Sequence, residues 1–220
     1  MIMNNFVKRT ISGIGFAAIM LAAFLTNKFI FGAVMLFALI VMMWEFLRMT
    51  CGKEYRYSQI LSIVAGVTLF TLVYLYRGFN FPGRLVILAF VPVFILMINS
   101  LYVKDKSRFN KFANLYTAII YIAVPWSVLN FAAFSADGTF NGMLLLCFFA
   151  IIWGSDVGAY LFGITLGQKY GKKLFPSISP KKSWIGFWGG MLMAIAISVA
   201  LYFLGLFPVS GKCATADLIH

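Results

Sequence analysis

A single carboxylate, Asp156, lies near the middle of a long apolar segment that runs from residue 140 to residue 163. The segment is long enough to cross a bilayer, where an ionised Asp is unfavourable by about 3 kcal/mol or more. An intramembrane carboxylate usually faces a bundle interior or a polar cavity and marks a functional site. Its hard oxygen atoms suit Mg²⁺, which binds through one or two carboxylates and substrate phosphates. We therefore predict that Asp156 binds a metal; the alternative is a structural pairing with a neighbouring helix.

A second polar group follows, from residue 177 to residue 184. Ser179 before Pro180 is typical of a helix N-cap with proline at the first helical position. This pattern predicts a helix that begins there, with Lys181, Lys182 and Ser183 in its first turn. Cations oppose the macrodipole at a helix N-terminus, whereas a bound polyphosphate would favour free N–H groups and lysines together. The alternative is membrane anchoring by positive charge and interfacial tryptophans.

The neighbouring stretch from Gly167 to Lys173 is similar to a phosphate-binding P-loop but does not match it. Three residues separate Gly167 from Gly171 where the P-loop has four, and no Ser or Thr follows the lysines. We interpret residues 164–183 as a basic cytoplasmic loop.

Composition places the chain in a membrane. Of its 220 residues, 62% are hydrophobic and only 11% are charged, whereas soluble domains are about a quarter charged. Apolar stretches of about 20 residues, the length that crosses a bilayer, recur about seven times. The predicted spans are 11–27, 29–49, 58–76, 84–103, 112–134, 140–163 and 184–207. The sequence predicts an all-α integral membrane protein, with residues 1–220 as one polytopic domain.

The net charge of +12 comes from Lys and Arg residues in the loops and at the ends of the spans. They do not form a nucleic-acid-binding patch, so no nucleic-acid partner is predicted. Alternate loops carry most of the Lys and Arg residues, which is the positive-inside pattern for a cytoplasmic N-terminus. We expect a multi-pass protein of the inner (plasma) membrane with its active site facing the cytoplasm. The predicted cytoplasmic cations are Lys8, Arg9, Arg48, Lys53, Arg56, Lys104, Lys106, Arg108, Lys111, Lys169, Lys172, Lys173, Lys181 and Lys182. Those on the opposite side are Lys28, Arg77, Arg84 and Lys212.

Two further patterns concern packing. The motifs Gly154-x-x-x-Gly158 and Gly186-x-x-x-Gly190 allow helices to approach closely. With Asp156 nearby, they predict two tightly packed helices that enclose a polar site. Glu45 and Arg48 are three residues apart on one helix face, a spacing that favours a local ion pair.

The run Asp156-Val157-Gly158-Ala159-Tyr160, followed by Ser179-Pro180-Lys181-Lys182-Ser183-Trp184 with Gly186-Phe187, resembles the phosphatidate cytidylyltransferase (CDP-diacylglycerol synthase) family. The resemblance implies transfer of cytidylyl from CTP to phosphatidate, which gives CDP-diacylglycerol and pyrophosphate in phospholipid biosynthesis. It implies Mg²⁺ as cofactor and CTP, phosphatidate and membrane lipid as partners. We also expect a homo-oligomer. Two positions depart from the family pattern: Ser183 replaces Thr but keeps the hydroxyl, and Ile185 replaces a polar residue.

Site residues follow from the resemblance. It implies catalytic roles for Asp156 and Lys182, with Asp156 also the metal ligand. Substrate-binding roles are implied for Ser179, Lys181, Ser183 and Tyr160.

The family's carboxylate-rich C-terminal signature is not among these residues. We therefore expect the chain to be the N-terminal portion of a longer protein, and inactive by itself. Two alternatives stay open: a CTP-using lipid or polyprenol kinase, and an ion- or proton-coupled transporter with Asp156 as its ion site.

Overall fold

The structure, a computed structural model, describes residues 5–103, 109–177 and 179–207. The chain divides into two compact units, residues 1–142 and residues 143–220, and each is described by itself.

The first unit is helical in its described part, apart from connecting turns and an isolated antiparallel β-bridge between Phe134 and Phe140. Its α-helices are α1 (Asn5–Leu25), α2 (Lys28–Cys51), α3 (Arg56–Phe79), α4 (Phe90–Leu101), α5 (Ala113–Ala118) and α6 (Val124–Ala133). Short 3₁₀ helices precede α4 (Gly83–Ala89) and α5 (Phe109–Phe112), and a π-helix, Ile119–Ala123, joins α5 to α6.

The second unit contains two long helices joined by a hairpin. Helix α7 (Met143–Phe162) continues through a π-helix, Gly163–Gly167, into the short α8 (Gln168–Tyr170). Strands β1 (Lys173–Phe175) and β2 (Ser179–Ser183) then pair antiparallel, and α9 (Trp184–Phe203) follows.

Six helical segments of the described chain are long and apolar enough to cross a membrane. In α1, a shorter apolar stretch covers Gly13–Leu25. The prediction of an all-α membrane protein with about seven spans is confirmed, and the two-stranded sheet is a small addition that the sequence did not predict.

The core of the first unit is organised along α2. Its buried side chains recur every fourth residue, so they form one face of the helix. The buried series is Phe31, Met35, Leu39, Met43, Leu47 and Cys51. Hydrogen bonds from polar side chains connect neighbouring helices. The Ser62 hydroxyl donates to Leu115 O at 2.8 Å, and the Trp126 indole donates to Met35 O at 2.8 Å. Such bonds suit helices in lipid, where apolar contact alone gives little preference for protein over lipid neighbours.

The predicted ion pair between Glu45 and Arg48 is wrong. No salt bridge joins these two described residues; the Arg48 guanidinium lies over the Trp44 ring, 5.2 Å from its centroid. The ring is one helical turn away on the same face, so the guanidinium stacks on it without leaving the helix surface.

Two boundaries in the second unit also differ from the prediction. The helical segment that contains Asp156 extends to Tyr170, because the helix continues through the less apolar residues after Gly163. The predicted loop 164–183 therefore contains helical turns and a β-hairpin.

The predicted helix start at Ser179 is wrong as well. Residues Ser179–Ser183 form strand β2, and the helix begins at Trp184 with Ser183 as its N-cap. The Ser183 hydroxyl accepts from the Gly186 amide at 3.2 Å, while pairing with β1 takes up the preceding backbone. Pro180, which has no N–H, is tolerated because a two-stranded sheet has only edge strands.

Candidate functional site

Helices α7 and α9 approach each other through glycines, as their sequence motifs predict. A Cβ atom on Gly158 would lie 2.7 Å from Met193 Cβ, and one on Gly190 would lie 2.9 Å from Ser155 O. A Cβ on Gly186 would lie 3.0 Å from Ala159 O. Residues nearer the C-terminus of α7 contact residues nearer the N-terminus of α9, so the two helices run antiparallel. The close packing is confirmed, and the hairpin lies in the connection between the two packed helices.

Asp156 is on the other side of α7. Gly158 is buried against α9, whereas Asp156 is exposed, together with Trp153 and Tyr160. Tyr160 is 66% exposed, and neither it nor Asp156 has a hydrogen bond or ion pair to any described residue. The expectation that α7 and α9 enclose a polar site around Asp156 is wrong, because the glycines rather than the carboxylate occupy the contact face.

The depth of Asp156 along its helix also changes. In the predicted span 140–163, Asp156 lies about seven residues from the cytoplasmic end, which is about 10 Å along a helix. Because the helical segment reaches Tyr170, the distance along the axis is about 20 Å at 1.5 Å per residue.

The hairpin after α8 carries a concentrated positive charge. Lys172 and Lys173 lead into and begin β1, and Lys181 and Lys182 lie on β2; all four are exposed, as is Lys169 on α8. The register pairs Lys173 with Ser183 and Phe175 with Ser179, with an irregularity between them. No acidic residue occurs between 157 and 207, so the charge of these lysines is not neutralised by a neighbour in the hairpin.

Ser183 and Ser179 have different surroundings. Ser183 is 4% exposed and caps α9 through its hydroxyl oxygen, which leaves its O–H proton available to donate. A Cβ on Gly167 would overlap this hydroxyl, so the end of the π-helix lies directly against the start of α9. Ser179, opposite Phe175, is half-buried.

The local structure agrees with the prediction that the stretch from Gly167 to Lys173 is not a P-loop. A P-loop connects a strand to a helix, but Gly167 ends a π-helix and Lys173 begins a strand.

A family model described as the cytidylyltransferase family matches residues 7–213. The chain belongs to this family. The match includes both units and all of the predicted site residues, so the family resemblance of the two motifs is confirmed.

Curated relatives of this cytidylyltransferase family member carry the name phosphatidate cytidylyltransferase. The Rickettsia felis protein is 33% identical over 71% of this chain and 63% of its own length. The Rickettsia bellii protein is 36% identical over 43% of this chain and 38% of its own length. The Staphylococcus haemolyticus protein is 30% identical over 50% of this chain and 39% of its own length. The alignments thus cover between about two-fifths and three-fifths of the relatives' lengths, and no solved structure matches.

The predicted residues of this family member fall into two groups. Lys181, Lys182, Ser179 and Ser183 share strand β2, and Asp156 and Tyr160 share one face of α7. Within the part of the chain that the structure describes, no hydrogen bond or ion pair joins the two groups. The sequence placed Lys172 and Lys173 in the basic loop without a site role, and the antiparallel pairing brings them beside β2. The run of lysines was the available signal.

The metal-binding potential of the described residues rests on one carboxylate. Within ranges 5–103, 109–177 and 179–207, no three His, Cys, Asp or Glu residues are grouped closely enough to hold a metal ion. Asp156 can supply one hard oxygen ligand. That fits Mg²⁺ bound mainly through nucleotide phosphates and water.

Proposed function

We propose that this chain carries part of a membrane enzyme that transfers cytidylyl from CTP to phosphatidate, giving CDP-diacylglycerol and pyrophosphate. The observation that carries the proposal is the family match across residues 7–213. The names of the curated relatives support the lipid substrate. The whole chain would serve as a single polytopic membrane domain and would associate as a homo-oligomer.

In this reaction a phosphate oxygen of phosphatidate attacks the α-phosphorus of CTP. A new P–O bond forms, the bond between the α-phosphorus and its bridging oxygen to the β-phosphorus breaks, and pyrophosphate leaves with that oxygen and its electron pair. Negative charge accumulates on the leaving group, so cations held in place near it lower the barrier.

The lysine hairpin is suited to that task. Lys182 would contact the triphosphate and stabilise charge on the leaving pyrophosphate, and Lys181 would help to bind it. Among the described residues, no acidic side chain pairs with these exposed lysines, which supports this role because an exposed lysine without such a partner can bind an anion. Ser179 and the Ser183 O–H would donate hydrogen bonds to phosphate, the latter while its oxygen caps α9.

Asp156 and Tyr160 would bind the nucleotide or its metal from α7. Asp156 would contribute one carboxylate oxygen to Mg²⁺, and the bound ion would supply electrostatic stabilisation to the phosphates. An exposed carboxylate on an apolar, membrane-length helix supports this, because it requires a polar partner. The site would face the cytoplasm, where CTP is present.

The test is the substitution Asp156→Asn in the complete protein, assayed in membranes for CTP-dependent CDP-diacylglycerol. We expect activity to fall by about a hundred-fold or more, with membrane insertion unchanged. The matched control is Asp137→Asn, which changes another exposed carboxylate, in a turn of the first unit. Near-normal turnover in Asp156→Asn would refute the role of this carboxylate.

The released product separates the alternatives. A cytidylyltransferase releases pyrophosphate on lipid addition, whereas a CTP-using lipid or polyprenol kinase releases CDP. Solute flux in liposomes without nucleotide would favour a transporter.

A further inference from the structure

The turn between α2 and α3 holds a cavity of about 340 Å³ in the first unit. Three of its lining residues are cationic, and none is acidic. The lining residues are Trp44, Arg48, Gly52, Lys53, Arg56 and Gln59. Pockets of this size, about 300 Å³ and upward, accommodate small-molecule groups.

Within the described ranges, the cations around this cavity have no acidic partner. Glu54, the acidic residue of the turn, forms a salt bridge with Lys111 at 3.3 Å. Arg48 stacks on Trp44 rather than pairing with Glu45. Among described residues, no ion pair involves Arg48, Lys53 or Arg56, so their charge is available to an anion.

The backbone groups of the turn favour a positive electrostatic potential in the cavity. The Gln59 side-chain amide donates to Gly52 O at 3.2 Å and to Glu54 O at 2.6 Å. These bonds satisfy two carbonyls that would otherwise repel an anion. Helix α3 begins at Arg56 without a side-chain cap, which leaves first-turn N–H groups to add to the positive potential.

Apolar stripes lead away from the cavity on both helices. On α2, Phe37 and Val41 precede Trp44 at helical spacing and are exposed, Phe37 by 70%. On α3, exposed Ile60 and Val64 follow Arg56 at intervals of one helical turn. A ligand that fills the cavity therefore meets cations at one end and exposed hydrocarbon at the other.

We infer that this cavity binds the phosphate head group of an anionic phospholipid, with its acyl chains against the exposed stripes of α2 and α3. The shared chemistry is a phosphate held by Arg48, Lys53 and Arg56. The lipid source is favoured over free phosphate because both helices are membrane-length and their apolar stripes begin at the cavity. Trp44, 51% exposed, has the amphipathic ring that is enriched at the head-group level.

The test uses delipidated protein in detergent, titrated with phosphatidylglycerol and followed by native mass spectrometry. Phosphatidylglycerol has a phosphodiester and is not the lipid of the proposed reaction, so the outcome is independent of cytidylyl transfer. We expect it to bind more tightly than phosphatidylcholine. Arg48→Gln and Arg56→Gln should each weaken its binding about five-fold, since a cation near a lipid surface contributes about 1 kcal/mol.

Two controls make the result specific. Arg84→Gln removes an exposed arginine of the same unit outside the cavity and should leave binding unchanged. Arg48→Lys should retain most of the affinity. If Arg48→Gln fails to fold, Arg56→Gln alone decides the outcome.

Three results would overturn the inference. One is unchanged binding in Arg56→Gln. The second is an equal loss in Arg84→Gln, which would indicate attraction by overall charge. The third is displacement of phosphatidylglycerol by millimolar inorganic phosphate, which would assign the cavity to a free anion.

Discussion

Gly167 and Ser183 lie so close together that a Cβ atom on Gly167 would overlap the Ser183 hydroxyl. The contact joins the end of the π-helix to the start of α9, and the lysine hairpin lies between these two points. The separation of its two ends is therefore fixed by packing rather than by the hairpin itself.

Gly167→Ala should destabilise the second unit by about 1–3 kcal/mol, because the added methyl group overpacks a closed contact. Thermal unfolding in detergent measures the effect. Gly15→Ala is the control, since a Cβ atom at Gly15 meets nothing within 4 Å. An equal change in both variants would contradict the close packing at Gly167.

Ser183→Ala should lower stability by about 1 kcal/mol, because the Gly186 amide loses its cap. Denaturant or thermal unfolding of the two proteins gives the difference. Ser198→Ala is a matched control: the Ser198 hydroxyl bonds to Ala194 O within α9 at 2.8 Å, so its removal should change stability little. Ser183→Ala with wild-type stability would argue against the N-cap.

Lys182→Gln should raise the KM for CTP about five-fold or more and lower kcat, because a cation that contacts both bound nucleotide and leaving group is lost. Steady-state kinetics of the complete protein measure both constants. Lys169→Gln removes an exposed lysine of α8 and should have a smaller effect. The reverse order would assign the phosphate contact to α8 instead.

Topology can be tested independently of activity. In a background without native cysteines, Asp137→Cys should react with a membrane-impermeant maleimide added outside intact cells. Lys172→Cys should react only after the membrane is opened. Both positions are exposed, so access depends on the side of the membrane, and the opposite labelling pattern would overturn the charge-based topology.

The turn at Asp137 should respond to acid. Its pKa is lowered by hydrogen bonds from the Thr139 hydroxyl, at 2.8 Å, and from the Thr139 amide. A depressed pKa means that the carboxylate stabilises the turn above the ordinary value of 3.8; the contribution is lost as pH falls through the lower, folded-state pKa. An NMR titration of Asp137 should show a higher midpoint in Thr139→Val; an unchanged midpoint would contradict the hydroxyl contact.

Hydropathy predicted the spans because each is a continuous apolar run, but it could not predict where helices end. After Gly163, residues such as Thr165 and Gln168 are less apolar, yet backbone hydrogen bonding continues to Tyr170. At the other boundary, Ser179 and Ser183 are both good N-caps. The choice between them depends on pairing with β1, which local sequence does not reveal.

The packing beside the candidate site was predictable from the sequence, whereas the direction in which Asp156 faces was not. The glycine motifs identified the packing of α7 on α9, because close approach depends directly on the missing Cβ. Which way Asp156 would face depends on its angle to those glycines. It is two residues from both Gly154 and Gly158, about 200° around a helix, so the same motif that packs the helices turns the carboxylate away.

The π-helix Gly163–Gly167 also sets the azimuth at which the lysine hairpin leaves the long helix. A π-turn accommodates one residue more than an α-turn, and each α-helical residue advances the chain by about 100°. Deleting one residue of this segment would let it relax to an α-helix without altering a single proposed ligand. The lysines would then lie at a different angle about the helix axis. The orientation of the hairpin therefore depends on the number of residues in the π-helix rather than on the identity of any side chain.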